Sequence, residues 1–166
     1  MNIGRYQHCV CERMANTQPL CADQLTFREE GKQVRLVPRR DEQAVAVVLD
    51  GCVFQDAQLK CDGLFLWCGR NSKAAVLVEL KGAHHIAHAF EQLAFVRGNR
   101  PEYQELLSAL QDCPGGGMPR QMAIIVSNGL VSRPEQERLE NAHGIRVRAV
   151  LHCEATSPIP DVRQYL

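Results

Sequence analysis

Ala74-Ala75-Val76-Leu77-Val78-Glu79-Leu80-Lys81-Gly82 is an apolar run that ends in a carboxylate and an ammonium two residues apart. In a β-strand residues i and i+2 share a face, roughly 7 Å apart. Glu79 and Lys81 then project from one side and Leu80 from the other. Asp62 stands upstream in a second apolar run, Cys61-Asp62-Gly63-Leu64-Phe65-Leu66-Trp67. Paired as neighbouring strands, the two runs bring Asp62, Glu79 and Lys81 to one patch. Two carboxylates and the backbone carbonyl of Leu80 are hard oxygen donors of the kind Mg²⁺ or Mn²⁺ takes. A cation held there polarises a phosphodiester and lowers the pKa of a bound water. Lys81 would orient that water or neutralise charge building on the phosphate. The alternative is a solvent-facing strand end carrying an ordinary ion pair, with Asp62 in a turn. Charge at the end of an apolar strand is costly unless it is paired or bound, and this weighs towards the site.

The elements that must position these residues can be read from periodicity. Leu25 to Val37 alternates around Glu29-Glu30-Gly31-Lys32, the pattern of a hairpin with a glycine turn. Ala44 to Leu49 reads as a strand, with Cys52-Val53-Phe54 extending it past Gly51. Leu59 to Cys68 and Ala74 to Lys81 read as an antiparallel pair joined through Gly69-Arg70-Asn71-Ser72-Lys73. After Gly82 the period changes. Ile86, Ala89, Phe90, Leu93 and Val96 predict an amphipathic helix over 84–97. Pro101 suits the first turn of another, with Tyr103, Leu106, Leu107 and Leu110 buried. Pro114-Gly115-Gly116-Gly117-Met118-Pro119 predicts a surface loop. Met122 to Ser127 predicts a buried strand. Ser132 and Glu135 form a capping box for a helix ending near Gly144, and Ile145 to Leu151 predicts a last strand. The fold class is α/β, a mixed central β-sheet flanked by helices. Residues 1–43 read as a cysteine-containing segment and hairpin, and 44–166 as the core, in one compact domain.

Asp62, then Glu79-Leu80-Lys81, then a helix carrying Gln92, resembles the PD-(D/E)XK nuclease superfamily. The likeness spans roughly residues 45–130. It implies a restriction endonuclease-like core, Asp62 and Glu79 as metal ligands, Lys81 as the catalytic lysine and Gln92 as an accessory residue. Cys61 stands where the motif has proline. The tyrosine that follows the glutamine in exonuclease-type members is missing here. Glu29 and Glu30 are the nearest candidates for the glutamate that many members carry on an N-terminal helix. The resemblance implies a deoxyribonuclease requiring Mg²⁺ or Mn²⁺, with DNA as its partner. The rival expectation is a nuclease-like module that binds nucleic acid or protein without cutting.

Other chemistry-bearing residues cluster less tightly. His84, His85 and His88 follow the strand, and on a helix His85, His88 and Gln92 line one edge, facing either a phosphate or solvent. His8, Cys9, Cys11 and Cys21 offer a four-ligand zinc set, although no Cys-x-x-Cys pair occurs. Arg97, Arg100 and Arg120 are candidate phosphate contacts.

Composition bounds the rest. Nineteen basic and 19 acidic side chains cancel, so a nucleic-acid partner would depend on a local patch or a bound cation rather than on overall charge. No apolar run approaches the ~18 residues of a membrane span, and the first residues lack the apolar core of a secretory signal. The expectation is a cytoplasmic protein off the membrane, its eight cysteines thiols or metal ligands rather than disulfides. Targeting would come from a protein partner or a homodimer.

Overall fold

The computed structural model describes residues 1–14, 17–114 and 117–166. Its main element is a five-stranded sheet of order β4-β5-β6-β7-β8. The strands are β4 (Gln43–Val48), β5 (Gly63–Cys68), β6 (Lys73–Lys81), β7 (Arg120–Ser127) and β8 (Ala149–His152). β4, β5 and β6 form an antiparallel meander, with Val48 opposite Gly63 and Gly63 opposite Val78. Gly69 N–H closes the β5–β6 turn onto the Ser72 carbonyl at 2.8 Å. β5 is buried along its whole length, which is why its sequence is continuously apolar instead of alternating.

The connection from β6 to β7 is helical and long, so these strands run parallel, from Ala74 opposite Arg120 to Lys81 opposite Ser127. A 3₁₀ turn, Ala83–His85, precedes the helix Ile86–Asn99, so the helix starts two residues later than its periodicity predicts. The expected stripe Ile86, Ala89, Phe90, Leu93 and Val96 is buried, and the helix packs on β6 and β7. Pro101 opens the next helix, Pro101–Ser108, with Tyr103, Leu106 and Leu107 buried. Ser132 caps the helix Arg133–His143 by accepting from Glu135 N–H, and Gly144 ends it at φ 66°, a conformation that favours glycine.

A three-stranded antiparallel sheet, β1 (Cys21–Asp23), β2 (Thr26–Glu29) and β3 (Lys32–Arg35), packs over the meander. Its anchor is Phe27, whose ring lies 4.7 Å from that of Phe65. Gly63 is a glycine because a β-carbon there would sit 2.5 Å from the Phe27 ring. Buried side chains from Ile3 to Leu36 and from the five-stranded sheet form one hydrophobic cluster. The tail returns to this core: Arg163 pairs with Glu42, which also accepts from Trp67 Nε1 at 2.9 Å. Burial pushes the Glu42 carboxyl up, but Arg163, Arg39 N–H and Trp67 outweigh it and hold the carboxyl at about 2.

Several boundaries differ from the sequence pattern. Cys52–Phe54 does not extend β4; Gly51 turns the chain at φ 78° and Phe54 N–H returns to the Leu49 carbonyl. Leu59 to Asp62 lies outside the strand; Gln92, in the helix after β6, takes the Lys60 carbonyl, and Arg100, just past that helix, takes the Leu59 carbonyl. Ile145–Arg148 precedes β8 instead of opening it. Within the expected 114–119 loop, Gly115 and Gly116 fall outside the described residues.

The cysteines depart most from expectation. Cys9 is bonded to Cys52 and Cys11 to Cys21, while Cys61, Cys68, Cys113 and Cys153 are free. An antiparallel bridge between Val10 and Val47 lays the N-terminal segment along β4. Cys9 and Cys11 therefore point to different partners, and the set His8, Cys9, Cys11 and Cys21 does not form a single site. Among the described residues no helix is long and apolar enough to cross a membrane.

Candidate active site

Asp62 directly precedes Gly63, whose partner is Val78, so the register sets Asp62 against Glu79. The two are tied through main chain. Asp62 N–H donates to Glu79 Oε2 at 3.0 Å, and Leu80 N–H donates to Asp62 Oδ2 at 2.6 Å. Lys81, on the same face as Glu79, places Nζ 2.6 Å from Glu79 Oε1. Glu79 is 0% exposed and Asp62 8%; the Lys81 side chain reaches solvent. The three residues expected to converge do so, at the end of β6 where β7 also finishes. Ala83 N–H donates to Asn128 Oδ1 there, tying the two strand ends together.

The loop before Asp62 is clamped. Arg100, itself buried, makes a bidentate pair with Asp56 at 2.6 and 2.7 Å and donates to the Leu59 carbonyl. Gln92 Nε2 donates to the Lys60 carbonyl at 2.6 Å, and the Asp62 carbonyl accepts from Leu49 N–H at 3.0 Å. Gln92 therefore acts on Asp62 through the backbone two residues earlier. Its Oε1 is shielded from solvent and has no hydrogen-bond partner.

Asp62 opens onto a cavity of about 490 Å³ walled by Asp50, Glu29, Glu30, Arg28 and the segment Gln18–Leu20. Asp50 pairs with Lys60 at 2.9 Å. Burial pushes the Asp62 carboxyl up to about 7, with Glu29 and Asp50 adding to the rise and Leu80 N–H opposing it. Burial, then the neighbouring Asp62, raises Glu79 well above the carboxylate range. Burial lowers Lys81, but Glu79 outweighs it and the ammonium is held above its ordinary value. Two adjacent buried carboxylates disfavour their shared ionised state; a divalent cation between them reverses that balance. Glu79 Oε1 has an ion pair to Lys81 but no well-directed hydrogen bond. Asp62 and Glu79 are oxygen donors of the kind that Mg²⁺ or Mn²⁺ takes, although among the described residues the only group of three or more close ligands is His8, Cys9 and Cys52.

The remaining expected residues lie elsewhere. His84 and His85 occupy the exposed turn after Lys81, and His88 sits one turn on, with Nδ1 2.9 Å from Glu91. Arg100 is not a phosphate contact, because its guanidinium is consumed by Asp56 and the Leu59 carbonyl. Arg120 pairs with Ala74, five residues before Glu79 along β6, so it stands about 17 Å from the carboxylates. Arg97 lines a cavity with Gln121, Arg146 and Arg148 at that same far end. Neither reaches the site. Asp50 and Lys60 carry no sequence signal that marks them; Asp50 comes beside Asp62 because the pairing of β4 with β5 runs on past Val48, where the Leu49 and Asp50 N–H groups donate to the Asp62 carbonyl. Glu29 approaches from β2, on a strand rather than a helix.

No family model, curated protein or solved structure matches this chain.

Proposed function

We propose that this protein is a Mg²⁺- or Mn²⁺-dependent nuclease of PD-(D/E)XK type that hydrolyses DNA phosphodiester bonds by attack of a metal-activated water. The observation that carries the reading is the Asp62–Glu79–Lys81 cluster, cross-linked through backbone amides and recessed beside a cavity. The meander β4–β6 followed by helices and a parallel β7 supports a restriction endonuclease-like core over roughly residues 45–130.

Asp62, Glu79 and the Leu80 carbonyl would hold the cation, which when bound supplies Lewis-acid polarisation of the phosphate and an acidified water. Lys81 presents an ammonium that pairs with Glu79 Oε1 and reaches solvent, where it would stabilise charge developing on a phosphoryl oxygen. Arg100 and Gln92 fix the 56–62 backbone so that Asp62 keeps its place. Such positioning matters because small displacements of reacting groups are costly in rate.

A second reading is a nuclease-like module that binds nucleic acid or protein without cutting. The acidic rim of Glu29, Glu30 and Asp50 favours its protein-binding form, because this rim repels phosphates until a cation is bound. Cleavage of plasmid and single-stranded DNA with Mg²⁺, Mn²⁺ or EDTA, wild type beside Lys81→Ala, separates the two. Metal-dependent cleavage that vanishes in the variant supports the nuclease. A clean wild-type protein that binds DNA but cuts neither substrate with either metal overturns it in favour of the module.

A further inference from the structure

His8 lies against the Cys9–Cys52 pair. One imidazole nitrogen and the two sulfurs all fall within 4.8 Å of one another. The tertiary fold assembles this group, since the Val10–Val47 bridge and the Gly51 turn are both needed to bring Cys52 to Cys9. Both sulfurs are buried and His8 is exposed. His8 and Cys52 border a cavity of about 420 Å³ whose wall also includes Glu102. Glu102 Oε2 is shielded from solvent and has no hydrogen-bond partner, an acceptor with nothing to accept from. Two thiolates and an imidazole form a donor set for Zn²⁺, and a poor one for Mg²⁺ or Ca²⁺.

We propose that the reduced chain binds one Zn²⁺ through Cys9, Cys52 and His8, with a water from the adjoining cavity as the fourth donor, and that this site and the Cys9–Cys52 disulfide are alternative states of the same sulfurs. The chemistry balances with a dithiol reductant: its two thiols join as a disulfide while Cys9 and Cys52 each take up an electron and a proton. Zinc then displaces the two thiol protons as it binds. Return to the disulfide requires an oxidant such as hydrogen peroxide, which takes the two electrons from the thiolates and two protons from solvent and leaves as two waters while the metal is released. The Cys11–Cys21 pair provides an internal control, because among the described residues it belongs to no comparable ligand group. The site is separate from Asp62 and Glu79, and its test needs no cleavage.

The full chain is reduced with a phosphine, freed of reductant without oxygen, mixed with ZnSO₄, desalted and assayed for metal, beside an untreated sample. About one zinc per chain is expected after reduction and almost none before. Competition with a chromogenic chelator gives the affinity, and circular dichroism checks the fold. Cys52→Ser should abolish binding, His8→Ala should weaken it about tenfold or more, and Cys11→Ser with Cys21→Ser should leave it in place. A folded, reduced wild type that takes up no zinc overturns the proposal. If Cys52→Ser does not fold, His8→Ala decides alone, because His8 is exposed; an unchanged affinity overturns the proposal.

Discussion

At the scale of single residues, pH acts first on Asp62. Its carboxyl rises from an unfolded value near 3.8 to about 7 in the fold. A raised acid binds more protons folded than unfolded, so its contribution is fully present below about pH 4 and lost as pH rises through 7. The chain should therefore lose stability between pH 4 and pH 7 by this group, by a few kcal/mol at most. Asp62→Asn should flatten that dependence and raise the melting temperature at pH 8, while abolishing any metal-dependent cleavage. Thermal melts from pH 4 to 8 check this, and parallel profiles for both proteins would contradict it. Added Mg²⁺ or Mn²⁺ should stabilise wild type at pH 8, because a ligand that binds only the folded state shifts the melt. The Asn variant should lose most of that shift. Lys81→Ala should reduce cleavage ~100-fold or more, the scale of losing a group aimed at developing charge, and should also lower the melting temperature, because it leaves the buried Glu79 without its partner.

At the scale of elements, the loop 56–62 is held by side chains of the helix that follows β6 and by the first residue after it. Arg100→Lys keeps the charge but loses the fork onto Asp56 and the Leu59 carbonyl. We expect a lower cleavage rate with circular dichroism unchanged; a rate equal to wild type would show that the clamp does not position Asp62. Gly63→Ala drives a methyl group into the Phe27 ring and should destabilise by roughly 1–3 kcal/mol, measured by urea unfolding. The Asp62, Glu79 and Lys81 convergence was legible in sequence because it depends on two adjacent strands and a short turn, and strand periodicity encodes both. The helix stripe Ile86 to Val96 was legible for the same local reason. The arginines were not. Nothing local distinguishes Arg100, folded onto Asp56, from Arg97 on the far end of the sheet. Nor does any spacing rule pair Cys9 with Cys52 across 43 residues, since that contact depends on the bridge to β4.

At the scale of the molecule, the two disulfides tie the N-terminal segment to the sheet. In the chain-entropy view, closing loops of 43 and 10 residues is worth about 4 and 3 kcal/mol respectively. Reduction should lower the melting temperature, and Cys52→Ser should cost more than Cys21→Ser. Zinc added to reduced wild type should restore part of the loss if the His8 site forms. The cavity beside Asp62 is walled by Gln18–Leu20, inside the loop that Cys11–Cys21 closes, so redox state also sets how firmly that wall stands. The β5–β6 hairpin has a different consequence. It carries Asp62, Glu79 and Lys81 within a single short stretch, while β7 joins only after two intervening helices and β8 after a third. During synthesis the three residues leave the ribosome together and can meet before the second half of the sheet exists. Their pairing is set by neighbouring strands in the chain, and the helix made next clamps the backbone before Asp62 through Gln92 and through Arg100 just past it.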